Sequence, residues 1–375
     1  MKKKRGEQAA AAATQLRGRT DDVFGTLRSL TPLGGAEERL FRAMRESIPL
    51  LDAAIGKLVR LCGGFTVECA QKQRALNEFL RTVPCGYGQY GVHSFLAAYL
   101  DSLLTYGRAI GEMVVSGGEL AALCWGDVTT VQIEQGGGPL DTVICAPDKN
   151  GTVRPLPYQN LLLLTTLNPE PQNPYGVSLL RSMPFLADIL LKIYRTVGLN
   201  WERAGNVRYA VVCKPGTGGE YASADRQAET IASEWSAAMQ DAKNGVVRDF
   251  VAVGDVSVKV IGADGQILDA ETPVRQIMEQ LVAKTGLPPF LLGLSWSSTE
   301  RMSKQQADLL TSELWAIRRA VEPALERICT LWLRLHGCGC APRIVWDDIS
   351  LLDLVEEAQA QLLRAQTAAL TSKEE

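Results

Sequence analysis

The sequence predicts an α+β protein built on an antiparallel sheet, and three observations carry that expectation. From Glu37 the apolar residues Leu40, Phe41, Met44, Ile48, Leu51, Ile55, Leu58 and Val59 recur at helical spacing. Between 107 and 167 the period shortens to that of strands, with Asn150-Gly151 as a hairpin signal. Beyond the break "NPEPQNPYGVS" a helical period returns over Val177–Glu202, through Leu179, Leu180, Met183, Leu186, Leu190, Ile193 and Val197.

The elements follow in order. Residues 1–36, basic and rich in Ala, Thr and Gly, read as a flexible N-terminal arm. The first helix stops at Gly63-Gly64, "FTVEC" reads as a short strand, and a helix over Gln71–Thr82 follows. "PCGYGQYG" reads as a hinge before a helix over Val92–Tyr106. "GRAIGEMVVSGGELAALCWGDVTTVQIEQ" reads as a hairpin and a further strand, and "LDTVICAPDKNGTVRPLPYQNLLLLTTL" adds another hairpin. Residues 206–268 form a small α+β insert: strand "RYAVVCKP", helix Asp225–Asp241, then strands "DFVAVG" and "VSVKVI". A helix over Thr272–Thr285 leads into "TGLPPFLLGLSWSSTERMSKQQ". There Gly286, Pro288 and Pro289 stop one helix, and Ser297, Ser298, Thr299 and Glu300 supply the caps of the next. The long helix Ser298–Leu335 contains Pro323, which removes one helical N–H and is expected to kink it. Strand "PRIVWDD" and a helix over Leu352–Leu370 complete the chain.

The totals narrow the function. The chain has 375 residues, 46% hydrophobic and 22% charged, enough for more than one domain with its own core. A net charge of −3 is no global basic signature, so electrostatic wrapping of nucleic acid is not expected, although a local basic ring remains compatible. Nine cysteines sit singly or in apolar runs without zinc spacing, and "MKKKRGEQAAAAATQ" lacks a signal-peptide core. Free, buried thiols in a reducing cytosol are expected, with no metal site. No run of about twenty uncharged apolar residues exists, so no membrane span is expected.

The chemical motifs weaken on inspection. Gly86-Tyr-Gly88-Gln-Tyr-Gly91 matches GxGxxG before a helix, where phosphate could sit on a helix N-terminus. The preceding segment reads as helix rather than strand, and two tyrosines crowd the loop. "KPGTGGE" has glycines but not the lysine that ends a phosphate-binding loop. His93 and His336 fall in separate elements and build no triad. Asp347-Asp348 could hold Mg²⁺ only with a third carboxylate, and reads as a turn or cap. No catalytic constellation and no cofactor site emerges, so an enzyme is not expected.

Four stretches, in this order, resemble those of the portal proteins of tailed bacteriophages and prophages, in their compact siphophage-like form. "LTYGRAIGEMVVSGGELAAL" is similar to the family's helix-to-hairpin passage. "NPYGVSLLRSMPFLADILLKIYRTVGLNWERAGN" is similar to its G-x-S-x-L break and long helix. "IMEQLVAKTGLPPFLLG" resembles its Gly-hydrophobic-Pro-Pro helix end, and "SSTERMSKQQADLLTSELWAIRRAVEPALERICTLWLRL" its longest helix with a central proline. Together they span most of residues 40–350.

The resemblance implies a ring, usually of twelve copies, at one capsid vertex of the virion, assembled in the host bacterial cytoplasm. It implies a portal-type fold: flexible arm 1–36, antiparallel-sheet wing 37–175, stem helix 176–205, clip 206–268, stem helix 269–286, tunnel loop 287–300, a long kinked helix and wing return strand over 301–350, and a short crown helix at 351–375. Double-stranded DNA would pass through without base readout. The partners implied are the terminase large subunit, the head-tail adaptor, and the major capsid and scaffold proteins. Phe290, Leu291, Leu292, Trp296, Arg301 and Lys304 would line the tunnel, and Arg275 and Lys284 the stem lumen. The short crown and arm depart from the family. The alternatives are a nucleotide-binding enzyme using Gly86–Gly91, or a monomeric phage adaptor or baseplate protein.

Overall fold

In the computed structural model the first helical run is two helices, α1 (Ala36–Ser47) and α2 (Pro49–Leu61). The single helix expected there breaks because Ile48 precedes a proline and is extended (φ −122°, ψ 94°), while Pro49 starts the second helix. The structure describes residues 36–138, 141–170, 174–205, 208–213, 256–261, 270–294 and 300–349, with isolated positions between 229 and 240; of 202–205, 208–213, 256–261 and 300–304 it describes the backbone alone. The expected arm at 1–35, helix 225–241, strand 249–254 and terminal helix 352–370 lie outside the described residues, wholly or nearly so.

Strand β1 (Phe65–Glu68) pairs antiparallel with β12 (Arg343–Trp346), Phe65 opposite Trp346, so segments far apart in sequence meet in one ladder. Helix α3 (Gln73–Thr82) leads to a hairpin, β2 (Pro84–Gly86) and β3 (Gln89–Tyr90), in place of the expected hinge. Its turn residues Tyr87 (φ 48°) and Gly88 (φ 75°) take the positive angles that suit a two-residue hairpin. Helix α4 (Val92–Tyr106) ends at Gly107 (φ 79°), whose N–H donates to the Leu103 carbonyl.

The central sheet follows: β4 (Arg108–Ser116) lies between β5 (Glu119–Gly126) and β9 (Leu162–Thr166), all antiparallel. Strands β6 (Gln132–Gln135), β7 (Thr142–Pro147) and β8 (Val153–Pro155) form a second antiparallel sheet. Its Asp148–Thr152 turn holds Gly151 at φ 79°, as Asn150-Gly151 predicts. Helix α4 packs on β4, where Phe95 occupies the space above Gly111. Ile110 and Leu162 of the first sheet join Ile144 of the second, with Val128, in a buried cluster. The first four residues of β4 are all buried: helix α4 covers one face at Gly111, while on the other Ile110 meets Val128 and Ile144 and Arg108 meets Glu38.

Helix α5 runs from Pro184 to Gly205, not from Val177. Met183 precedes a proline, and Pro184 is preorganised for the first helical turn. Strands β10 (Arg208–Cys213) and β11 (Val256–Ile261) pair antiparallel. Helix α6 (Glu271–Thr285), a 3₁₀ turn (Pro289–Leu292) and α7 (Glu300–Leu335) complete the described helices, and α7 continues through Pro323. Two compact units emerge: Phe185–Glu279, and the residues before and after it. In the second of these, α7 packs on β5 and β9. Arg318 of α7, 1% exposed, donates from Nε to the Cys62 carbonyl at 2.8 Å and lies over the rings of Trp315 and Trp346. It thereby fixes the long helix to the β1–β12 ladder.

Candidate nucleic-acid and subunit-contact surfaces

The proline-rich passage after α6 is built from its caps. Thr285 Oγ1 donates to the Val282 carbonyl at 2.7 Å and accepts from the Leu287 N–H at 3.2 Å, ending the helix with its polar groups satisfied. Gly286 (φ 70°) reverses the chain, and Gly293 (φ 76°) closes the 3₁₀ turn by donating to Phe290 and Pro289 carbonyls. Leu287 and Pro288 are buried, and the turn rests on α2. Leu291 and Leu292 are half-buried, while Phe290 stays 48% exposed. Trp296 and the capping residues Ser297–Thr299 lie outside the described residues. Arg301 and Lys304 lie in the first turns of α7, and their side chains lie outside the description. The passage is thus half anchor and half surface, and among the described side chains of the expected tunnel set Phe290 is the exposed one.

Arg275 and Lys284 are both exposed on α6. Arg275 Nε contacts Glu279 Oε1 at 3.0 Å, an i,i+4 pair in solvent that partly neutralises it and is worth little. The sequence pattern missed a second apolar set on α5. Its expected face is the more buried one, with Leu190 buried and Ile193 and Val197 half-buried. Phe185, Leu191, Tyr194, Leu199 and Trp201 are exposed, Trp201 by 64%. Leu191, Tyr194 and Trp201 fall three and seven residues apart, so they share a helix side. The signal was present as apolar residues on both sides of one helix, but a search for a single core stripe absorbs only one set.

The G-x-S-x-L break has a definite job. Gly176 passes so near Gly107 that a Cβ there would collide with the Gly107 carbonyl and stand 2.8 Å from that of Leu167. Ser178, 4% exposed, donates from Oγ to the Thr105 carbonyl at 2.6 Å and accepts from the Leu180 N–H at 2.9 Å. The break docks the chain leaving β9 onto the end of α4. A neighbouring ion pair is buried: Arg108 meets Glu38, donates to the Val128 carbonyl at 3.1 Å and lies over the Tyr175 ring. Glu37 beside it is shifted upward in pKa, first by burial, against the lowering effect of Arg181.

The GxGxxG loop is spent on backbone geometry. Gly86, Gly88 and Gly91 all have positive φ, and a Cβ at Gly91 would lie 3.0–3.1 Å from the carbonyl oxygens of Arg81 and Leu80. The preceding strand belongs to a hairpin, not to a βαβ unit, which is not the context of a dinucleotide-binding loop. Tyr87, 98% exposed, stacks parallel to Trp125 at 6.4 Å. His93 Nε2 contacts the Phe65 carbonyl at 3.0 Å, and His336 Nδ1 that of Trp332 at 2.9 Å; each ring also stacks on its partner. Asp347 donates its N–H to the Gly64 carbonyl at 3.0 Å, one step beyond the Phe65–Trp346 pair, so it extends the β1–β12 ladder in place of the expected turn or cap. Among the described residues no group of three metal-binding side chains converges, and no helix is long and apolar enough to cross a membrane.

No family model and no curated protein matches the chain. Solved structures do. A chain in the neck of the native gene transfer agent particle, computed with C12 symmetry, matches with a TM-score of 0.64 and 15% identity over 89% of each chain. A chain in the neck of the empty particle, computed with C6 symmetry, matches with a TM-score of 0.65 and 15% identity over 91% of each. An HK97 family phage portal protein from Corynebacterium diphtheriae is a looser neighbour, with a TM-score of 0.46, 16% identity, and coverage of 82% of this chain and 95% of that one. The chain therefore has a mixed helix-and-strand fold shared, over about nine-tenths of its length, with a chain of the gene transfer agent neck.

Proposed function

We propose that this chain is a portal subunit: a non-enzymatic, ring-forming component of a phage or phage-like particle through which double-stranded DNA is packaged, retained and ejected. The observation that carries this is the fold shared across about nine-tenths of both chains with a component of a particle neck. The order of sequence stretches that resembles portal proteins supports it independently. So does the exposed apolar set on α5, a surface that self-association would cover. In this assignment residues 287–300 form the tunnel loop, with Phe290 and Trp296 toward the lumen and Arg301 and Lys304 making loose phosphate contacts. Leu291 and Leu292 serve it partly as anchors on α2. Residues 206–268 dock the terminase large subunit and then the head-tail adaptor, and the ring sits at one capsid vertex, meeting major capsid and scaffold proteins.

The test is the assembly state of the purified protein by negative-stain imaging and mass measurement under reducing conditions. Closed rings with a central channel are expected, at high concentration or with scaffold protein. A strict monomer under every such condition overturns the assignment in favour of an adaptor or baseplate role.

A further inference from the structure

We propose that Cys69 and Cys340 form a reversible dithiol–disulfide pair that staples the chain just after β1 to the chain just before β12. Their Sγ atoms lie 2.7 Å apart, well inside the distance at which unbonded sulfurs rest, though 271 residues separate them in sequence. The approach is built into the fold. Glu68 pairs with Arg343 at the end of the β1–β12 ladder, and the chain leaves that end through Cys69 on one strand while arriving from Cys340 on the other. Gln73 holds the Cys69 end in place: its Oε1 accepts from the Cys69 N–H at 2.7 Å, and its Nε2 donates to the Val67 carbonyl at 2.6 Å.

Exposure sets this pair apart from the buried thiols, and the sulfur–sulfur approach sets it apart from Cys124, which is half-exposed too. Cys69 and Cys340 are both half-exposed, whereas Cys62 and Cys329 are buried and each is pushed up to about 12 by that burial, keeping them protonated and inert. Burial, and then the Cys340 thiol, raise the Cys69 pKa as well, so exchange runs through a small thiolate fraction and needs an added oxidant. Cys338 and Cys329 also lie near Cys69, but both are buried, and the Cys338 Sγ points to Gln71 Oε1 at 3.5 Å.

The chemistry balances with a small-molecule disulfide such as oxidised glutathione. One cysteine thiolate attacks it and releases one glutathione thiol. The second cysteine then displaces the other glutathione from the mixed disulfide, forming the Sγ–Sγ bond. Two protein thiols are oxidised and one glutathione disulfide is reduced. The product is a covalent loop that contains all of the Phe185–Glu279 unit and part of the other, closing a ladder of only four residue pairs.

The experiment treats the folded, full-length protein with oxidised glutathione and maps disulfides by non-reducing peptide mass spectrometry, with thermal unfolding in parallel. A Cys69–Cys340 cross-linked peptide is expected, reversed by dithiothreitol. A rise in Tm of several degrees is expected with it, absent in Cys340→Ser and retained in Cys338→Ser. Circular dichroism of the reduced variants checks that each is folded. A dominant Cys69–Cys338 link, an intermolecular link, or failure of the folded wild type to link these two cysteines overturns the proposal. None of these outcomes depends on ring formation, so the inference stands or falls apart from the portal assignment.

Discussion

Gly176 and Gly88 both hold positive φ, 70° and 75°, yet only one is crowded. An added Cβ at Gly176 meets the carbonyls of Gly107 and Leu167, whereas at Gly88 it meets nothing within 4 Å. Gly88→Ala should cost only the left-handed strain, about 1–2 kcal/mol. Gly176→Ala should cost visibly more, since the junction between α4 and the chain leaving β9 must separate; urea unfolding of the two variants measures the gap, and equal losses would remove the docking role of the break. Glu37 offers a pH test. Its pKa is raised in the folded state, chiefly by burial, so folding favours its protonated form. That stability is present below the unfolded carboxyl pKa and is lost as pH rises through the folded value. Glu37→Gln, a permanent mimic of the protonated form, should therefore raise Tm near pH 7, with the gain vanishing below about pH 4. A gain that persists in acid would mean the glutamine acts through packing instead.

At the scale of elements, the 3₁₀ turn divides its residues between anchor and surface. Leu287, 3% exposed, is expected to cost about 2–5 kcal/mol when cut to alanine. Phe290→Ala, at 48% exposure, should cost well under the loss of a buried aromatic, about 3–5 kcal/mol. Thermal unfolding of both variants, paired with the genome content of particles assembled with Phe290→Ala, separates the roles. If Phe290→Ala unfolds the protein severely while particles made from the folded fraction fill normally, the turn is a core element and not a tunnel surface.

For the whole molecule, the division at Pro184 and Glu279 makes the insert removable in principle. Strands β10 and β11 pair directly across it, Cys213 opposite Val256. Replacing residues 214–255 with a short turn should leave the sheets of the other unit folded, by hydrogen exchange, and abolish terminase or adaptor docking in a pull-down. Unimpaired docking by that variant would remove the docking assignment of 206–268.

Much of the architecture was legible in the sequence because it is local. Helix α4 falls where its periodicity puts it, between Gly91 and Gly107. Asn150-Gly151 makes its turn, and the proline-rich passage stops a helix where Gly286 allows the reversal. Each depends on backbone geometry that a residue imposes on its own neighbours. Proline restrictions at Pro49 and Pro184 were equally local, but apolar periodicity ran across both and hid the breaks. What only the tertiary structure decided is non-local. No pattern announces that β1 pairs with β12, that Arg318 reaches the Cys62 carbonyl, or that Cys69 and Cys340 touch across 271 residues. The sequence also could not divide the apolar residues of α5 into buried and exposed sets, because both satisfy the helical period. Burial is settled by which other segments arrive at a surface, and that is a property of the folded chain rather than of any window of it.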